Sequence, residues 1–171
     1  LQEEMTLAET KKAKKHIALV GKQGEELVNE YLEGLKSAKE LDHFEWMNKS
    51  RESGLPYDFI LYGTSDMQQY VDVKSTKFDF SQSIVFSNQE VEFANQFSAE
   101  TNYSVYRVFD MSDSSANLKI CSQCMPYMKK MNNNIQKLNA AIVESKTKLL
   151  DLNIAVTPIY CFRKIQESIK L

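Results

Sequence analysis

Two short segments rich in aromatic and branched apolar residues constrain the fold of this chain most strongly. They are YDFILYG, residues 57–63, and QQYVDVKST, residues 68–76. The four residues between them, TSDM, are polar turn formers, and Gly63 stops the first segment. The pattern predicts two strands joined as an antiparallel β-hairpin.

Further strands are predicted on both sides of this hairpin. Their apolar and alternating patterns are typical of strands, and Pro158 in the last one indicates an edge position or a bulge. The segments are FEWM (44–47), SIVFS (83–87), YSVYRVFDM (103–111) and NIAVTPIYCF (153–162).

Helices are predicted before, between and after these strands. Residues 2 to about 17 have a helix-forming composition with a mostly solvated surface. A second, amphipathic helix is predicted after Gly24 from the spacing of Leu27, Val28, Tyr31, Leu32 and Leu35. Ser87 and Glu90 have the spacing of a capping box, which opens a helix over 88–100. A long helix from about 126 to 151 is predicted from an apolar stripe: Met128, Met131, Ile135, Leu138, Ile142 and Leu149.

Length and composition limit the class of protein. A chain of 171 residues fits one domain, and no apolar run approaches the roughly 20 residues that cross a bilayer. Three cysteines cannot all pair within the chain, which favours a reducing compartment, and we expect a cytoplasmic protein without membrane association. The first residues lack a signal-peptide pattern and the chain starts with leucine instead of methionine, so we expect a piece of a longer protein. The net charge of −2 means that any nucleic acid must bind a local patch.

Asp72 and Lys74 form the pattern with the clearest chemical meaning. Residues two apart in a strand share a face, and an antiparallel neighbour could bring Asp58 beside Asp72. Two carboxylates with one lysine suit a hard divalent cation and a phosphate group. An acid two residues before a lysine also occurs at Glu9–Lys11 and Glu144–Lys146. Spacing alone therefore leaves a solvated strand edge as the alternative.

The order of motifs around this pair resembles a known superfamily. The series GKQGEELVNEYL, FEWMNKSRESGLPYDFILYG, YVDVKSTK, SIVFSNQEVEFANQF and YSVYRVFDM is similar to PD-(D/E)XK nucleases, in the Mrr-like branch named after the carboxy-terminal domain of NO VEIN. The resemblance covers about residues 21–111 and implies a restriction-endonuclease-like mixed α/β sheet flanked by helices. We expect residues 1–20 to be a helical extension and 112–171 to add a long helix and a final strand.

The resemblance also implies roles for individual residues. Asp58, Asp72 and the Val73 carbonyl would hold Mg²⁺ or Mn²⁺, and Lys74 would be the catalytic lysine. Glu25 takes the place of the helix acid, with its neighbour Glu26 as the alternative. The implied activity is hydrolysis of phosphodiester bonds in nucleic acid, with DNA favoured.

The resemblance also bears on partners. An ATPase or helicase partner is expected, Lys22 and Lys77 are the predicted nucleic-acid contacts, and the long helix could form a homodimer. The alternative function is an inactive nuclease fold that binds nucleic acid or a partner protein.

Several other residues have less specific interpretations. Cys121 and Cys124 have metal-site spacing, but only Cys161 and two histidines could complete a site, so a turn before the long helix is favoured. Ser87 and Glu90 are interpreted mainly as a helix cap. Tyr103, Tyr106 and Arg107 are expected to pack in a strand rather than touch nucleic acid. The four lysines at positions 11, 12, 14 and 15 are interpreted mainly as a solvated helix face.

Overall fold

The predicted hairpin lies inside a six-stranded sheet of the computed structural model, which describes residues 7–51, 53–63, 68–97, 102–147, 152–162 and 167–171. The predicted turn at 64–67 falls outside these ranges. The strands of the sheet are β1 His43–Trp46, β2 Phe59–Tyr62, β3 Gln68–Ser75, β5 Tyr103–Phe109, β6 Asn117–Cys121 and β8 Ile169–Lys170, in the spatial order β1-β2-β3-β5-β6-β8.

The sheet is mixed, as the resemblance implied. β2 pairs with β3 in the antiparallel sense, which confirms the hairpin, whereas β3 pairs with β5 in the parallel sense. A parallel pair requires a crossover connection. Here the crossover contains β4 Ile84–Ser87 and helix α2 Asn88–Ala94, and β4 forms a separate two-stranded sheet with β7 Asn153–Val156.

Helices cover both faces of the main sheet. Helix α1 Leu7–Ser37 packs on β3 and β1, where Val28 and Leu32 share an apolar cluster with Val71 and Val73. On the opposite face, α2 packs against α3 Met125–Glu144, in a cluster that includes Phe86. The predicted α/β layer architecture is confirmed. Because the side chains of β3 alternate, Asp72 and Lys74 face the α2 side.

Helix α1 approaches β3 very closely at one glycine. A Cβ atom added at Gly24 would lie 2.6 Å from the Ser75 Cβ and would overlap the Ser75 Oγ as well. Non-bonded carbon atoms prefer about 3.5–4.0 Å. The missing side chain at Gly24 therefore sets the distance between α1 and the strand that carries Asp72 and Lys74.

Two helix predictions were wrong in their boundaries. The described part of α1 is one uninterrupted helix rather than two, because packing of its second half outweighs the low helix propensity of Gly21 and Gly24. Helix α3 ends at Glu144 rather than near 151, and Lys146 adopts a left-handed conformation with φ of 57°. Residues 148–151, with Leu149, lie outside the described ranges.

Several strand and cap predictions have mixed outcomes. β1, β4 and β5 are confirmed, whereas the last predicted strand ends at Val156 and Pro158 instead begins the short helix α4 Pro158–Cys161. Proline suits the first position of a helix because its missing N–H would have no intrahelical partner there. α2 ends at Ala94, short of the predicted 100, although 98–100 fall outside the described ranges. β6 and β8 were not predicted, because each is short and is defined by its pairing with a distant strand.

The surface of α3 leaves the dimer prediction open. Met128, Met131 and Ile135 are buried against the domain, whereas Leu138 and Val143 are 43% and 69% exposed. Homodimer formation through this helix stays a prediction. None of the described helices combines the length and apolar character needed to cross a bilayer.

Candidate active site

A notch in the sheet creates the candidate site. Phe59 pairs with Val71, so β3 continues for several residues beyond the point where β2 begins. Asp58 occupies this notch: its backbone N–H donates to the Val71 carbonyl at 2.8 Å, and its Oδ2 accepts from the Val73 N–H at 2.7 Å. Since the N–H and C=O of one strand residue point to the same side, the Val73 carbonyl also faces Asp58.

Asn48 holds the other oxygen of the Asp58 carboxylate. Its Nδ2 donates to Asp58 Oδ1 at 2.7 Å, while its own Oδ1 accepts from the Ser53 N–H at 2.9 Å. Asn48 is buried, and its backbone carbonyl accepts a 2.6 Å hydrogen bond from Lys22 Nζ. Asn48 was missed from the sequence because it lies in a polar loop whose composition does not mark it.

Lys74 is held between two carboxylates on the other side of β3. Its Nζ lies 3.1 Å from Asp72 Oδ2 and 2.7 Å from Glu90 Oε1. The buried Tyr103 hydroxyl also donates to Asp72 Oδ2, at 3.0 Å. The second oxygen of Glu90 accepts from the Ser87 N–H at 2.7 Å, which confirms the predicted capping box. Glu90 therefore contacts Lys74 as well as capping α2, and its role at the site stays a prediction.

Glu25 is the buried member of the two candidate helix acids. Its Oε2 accepts from Trp46 Nε1 at 2.8 Å, and Lys22 Nζ lies 4.1 Å from the centre of the Trp46 ring. Its neighbour Glu26 is exposed and lines a different cavity of about 300 Å³. Glu25 thus reaches the notch from the α1 side, opposite the side from which Lys74 reaches it.

Burial and mutual repulsion dominate the electrostatics of the site. Burial, then the charge of Asp72 and to a lesser extent that of Glu25, raises the pKa of Asp58 to about 8. Burial likewise raises the pKa of Asp72 to about 7, although Lys74 opposes the shift. Burial lowers the pKa of Lys74, but Asp72 and Glu90 outweigh it and the net shift is upward. Lys74 therefore stays charged at neutral pH, while the two aspartates compete for a proton.

The donor set fits a hard divalent cation. Mg²⁺ prefers oxygen ligands and usually keeps several waters, so one or two carboxylates with a carbonyl are sufficient protein ligands. Asp58, Asp72 and the Val73 carbonyl are donors of this kind, and a cation would offset the cost of burying negative charge, which is the main cause of both raised pKa values. Over the described ranges, no group of three or more Asp, Glu, His or Cys side chains is placed so that it could hold a metal ion.

The other predicted contacts occupy different positions. Lys77 is exposed and shares its cavity with Glu26, Glu30 and Asp113, whereas Lys22 is bound to Asn48 beside the notch. Their roles as nucleic-acid contacts stay predictions. Tyr103, Tyr106 and Arg107 are all buried, as expected for residues that pack in a strand.

The three cysteines are buried in the core on the α3 side. Cys121 Sγ donates to the Cys161 carbonyl at 3.1 Å, and Cys124 precedes the first residue of α3. Cys121 is the last residue of β6, and a short bend of three residues, not a turn over the whole segment, connects it to α3.

Comparisons with known proteins match the part of the chain that carries these residues. The family described as "Protein NO VEIN, C-terminal" matches residues 24–121, a range that contains Glu25, Asp58, Asp72, Lys74 and Glu90. A relative, "Protein NO VEIN-LIKE" of Arabidopsis thaliana, is 37% identical over 76 residues, which cover 44% of this chain and 11% of the relative. No solved structure matches significantly. Since the family match spans more than half of its length, this chain belongs to the NO VEIN C-terminal family.

Proposed function

We propose that this chain is a nuclease domain that hydrolyses phosphodiester bonds in nucleic acid with the help of Mg²⁺ or Mn²⁺. The observation that supports the proposal is a pair of carboxylates, half-buried Asp58 and buried Asp72, beside a charged lysine at a notch in the sheet. If Lys74 only formed a structural ion pair, one carboxylate would be enough to balance its charge. Here Lys74 already contacts two, and a further repelling carboxylate lies beside them.

Asp58, Asp72 and the Val73 carbonyl would hold the ion. When bound, a divalent cation supplies positive charge to a phosphate and lowers the pKa of water. Asn48 and the Val73 N–H fix the orientation of the Asp58 carboxylate, and Tyr103 fixes that of Asp72. These contacts preorganise the donors, so little rearrangement is needed when substrate arrives.

Lys74 acts as a positive hydrogen-bond donor in this proposal. Because Asp72 and Glu90 keep its amine protonated at neutral pH, Lys74 cannot take a proton from water. It can orient the attacking water and stabilise the negative charge that develops on the phosphate oxygens. Glu25, on the α1 side, adds a third negative charge close to Asp58.

DNA is the favoured substrate. The matched region is a small part of the NO VEIN-LIKE relative. We propose that this domain works with an ATPase or helicase partner. The competing function is a domain that binds nucleic acid or a partner protein without cutting.

Cleavage of plasmid DNA in the presence of Mg²⁺ or Mn²⁺ tests the proposal. We expect Lys74→Ala and Asp72→Asn each to lower the rate by about 100-fold or more, because each removes preorganised charge from the site. Lys130→Ala, at an exposed position on α3, is the control and should cut at the wild-type rate. Thermal unfolding verifies that each variant is folded.

Two outcomes would refute catalysis. One is equal cutting by the wild type and both site variants, which would indicate a contaminating nuclease. The other is the absence of cutting on any DNA or RNA substrate, which would favour the competing binding function.

A further inference from the structure

The first half of α1 projects away from the rest of the described domain. Every residue from 11 to 19 is exposed, and burial begins only at Val20. An isolated helical stretch of this length gains little stability in water without a packing partner. This half of α1 is therefore a surface available to a partner.

The projecting half is strongly basic in an acidic chain. Residues 11–19 contain four lysines and no acid, and Lys22 follows where the helix meets the domain, so residues 11–22 carry a formal charge of +5. The whole chain carries −2, so all other residues together carry −7. Positive charge is thus concentrated on one short helical segment, which favours a polyanionic partner.

Three of these lysines line up with the candidate site. Successive helix residues are about 100° apart, so Lys15 and Lys22 lie about 40° and 20° from Lys11 around the axis. Lys14 and Glu25 lie about 60° and 40° to the other side of Lys11. Lys11, Lys14 and Lys15, called here the lysine stripe, therefore share the helix face that carries Lys22 and Glu25 to the notch.

The stripe runs outward from the site. At 1.5 Å per residue, Lys11 lies roughly 21 Å along the axis from Glu25. Lys22 lies between them, fixed to the Asn48 carbonyl beside Asp58. The exposed apolar residues of this half, Ile17 and Leu19, lie about 120° and 80° from Lys11 and so are off the stripe.

We infer that the lysine stripe binds the phosphate backbone of a DNA duplex and guides it into the notch. The inference rests on the proposed function for the identity of the polyanion. The three lysines of the stripe lie within about 6 Å along the helix axis, and Lys22 lies about 10 Å further on. Contacts between such positive side chains and phosphates fix position without reading sequence. The domain would then need duplex that extends roughly 20 Å beyond the cut, about six base pairs.

Binding of a fluorescent 30-base-pair duplex, measured by anisotropy without divalent ions, tests the stripe directly. The test variant is the triple change Lys11→Gln, Lys14→Gln and Lys15→Gln. Its matched control is Lys12→Gln, Lys129→Gln and Lys130→Gln, which removes the same charge from exposed helical positions off the stripe. Glutamine keeps a high helix propensity, so α1 should persist, and circular dichroism verifies it.

We expect the stripe variant to bind on the order of 100-fold more weakly at 0.1 M salt. Its slope of log affinity against log salt should fall by about 2.7, since each lost phosphate contact contributes about 0.9. The control should stay within a few-fold of the wild type. A duplex that ends close to the cut should be cleaved poorly by the wild type.

The stripe and the nuclease proposal fail differently. If the wild type cuts DNA and both triple variants bind the duplex as tightly as the wild type, the stripe is refuted while the nuclease proposal stands. If the stripe variant alone loses binding and the wild type never cuts, the stripe stands and the nuclease proposal fails. Wild-type chain that binds no duplex at 0.05 M salt, or a stripe that only supports self-association, overturns the inference.

Discussion

The contact between Gly24 and Ser75 leads to a sharp prediction about stability. Gly24→Ala places a Cβ 2.6 Å from the Ser75 Cβ, about 1 Å inside the usual contact distance. Ser75 Cβ is fixed to the backbone of β3 and cannot rotate away. The helix must therefore move away from the strand, and Glu25 on the next residue moves with it.

The magnitude follows from two opposing effects. Alanine in place of glycine inside a helix stabilises by about 1 kcal/mol. Overpacking of this kind costs about 1–3 kcal/mol. Gly21→Ala is the matched control, since it lies three residues away on the same helix with open space around its Cβ. We expect Gly21→Ala to stabilise by up to about 1 kcal/mol and Gly24→Ala to be about 2 kcal/mol less stable than that control.

Urea unfolding at constant pH measures the difference, and a second substitution locates it. Ser75→Ala removes a buried Oγ that has no hydrogen-bond partner among the described residues, so alone it should be neutral or stabilising. Combined with Gly24→Ala, it should recover part of the loss, because one of the two overlapping atoms is gone. If Gly24→Ala is as stable as Gly21→Ala, the close approach does not constrain α1 and the reasoning is wrong.

Two further predictions concern the charges of the site. The folded-state pKa values of Asp58 and Asp72, about 8 and 7, lie above the ordinary 3.8. The folded state thus binds more protons, and the free energy of unfolding in urea should fall as pH rises from about 5 to 8 without divalent ions. Asp72→Asn should flatten this dependence, and an unchanged slope in that variant would contradict the assigned pKa values. Glu90→Gln keeps a side-chain oxygen that can accept in the capping box but removes the negative charge beside Lys74. We therefore expect near-normal stability and a cleavage rate lowered about 10-fold. Ser87→Ala should instead cost about 1 kcal/mol of stability and leave the cleavage rate unchanged. If Glu90→Gln also lowers stability and leaves the cleavage rate unchanged, Glu90 only caps α2.

The sequence predicts those parts of the site that depend on local pattern. Asp58 and Asp72 meet because a short polar segment joins two strands, and strand alternation separates Asp72 and Lys74 from Val71 and Val73. These relations need only the hairpin and the two-residue period of a strand. The same is true of the Ser87–Glu90 cap, whose two residues are three apart.

The remaining parts depend on contacts between distant segments. Tyr103 reaches Asp72 through the parallel pairing of β3 with β5, and no local pattern specifies that register. Glu90 reaches Lys74 because α2 lies in the crossover between these strands. The continuity of α1 was missed for a related reason. Gly24 is unfavourable in an isolated helix, yet it is required where that helix touches Ser75.

Isothermal titration calorimetry with Mn²⁺ tests the central claim most directly. We predict that the wild-type chain binds one ion at pH 8 and that Asp58→Asn and Asp72→Asn each abolish detectable binding. Glu144→Gln, which neutralises a carboxylate at the far end of α3, should bind as the wild type does. Wild-type chain that binds no ion, or an Asp72→Asn variant that binds as tightly as the wild type, would contradict the assignment of the notch as a metal site.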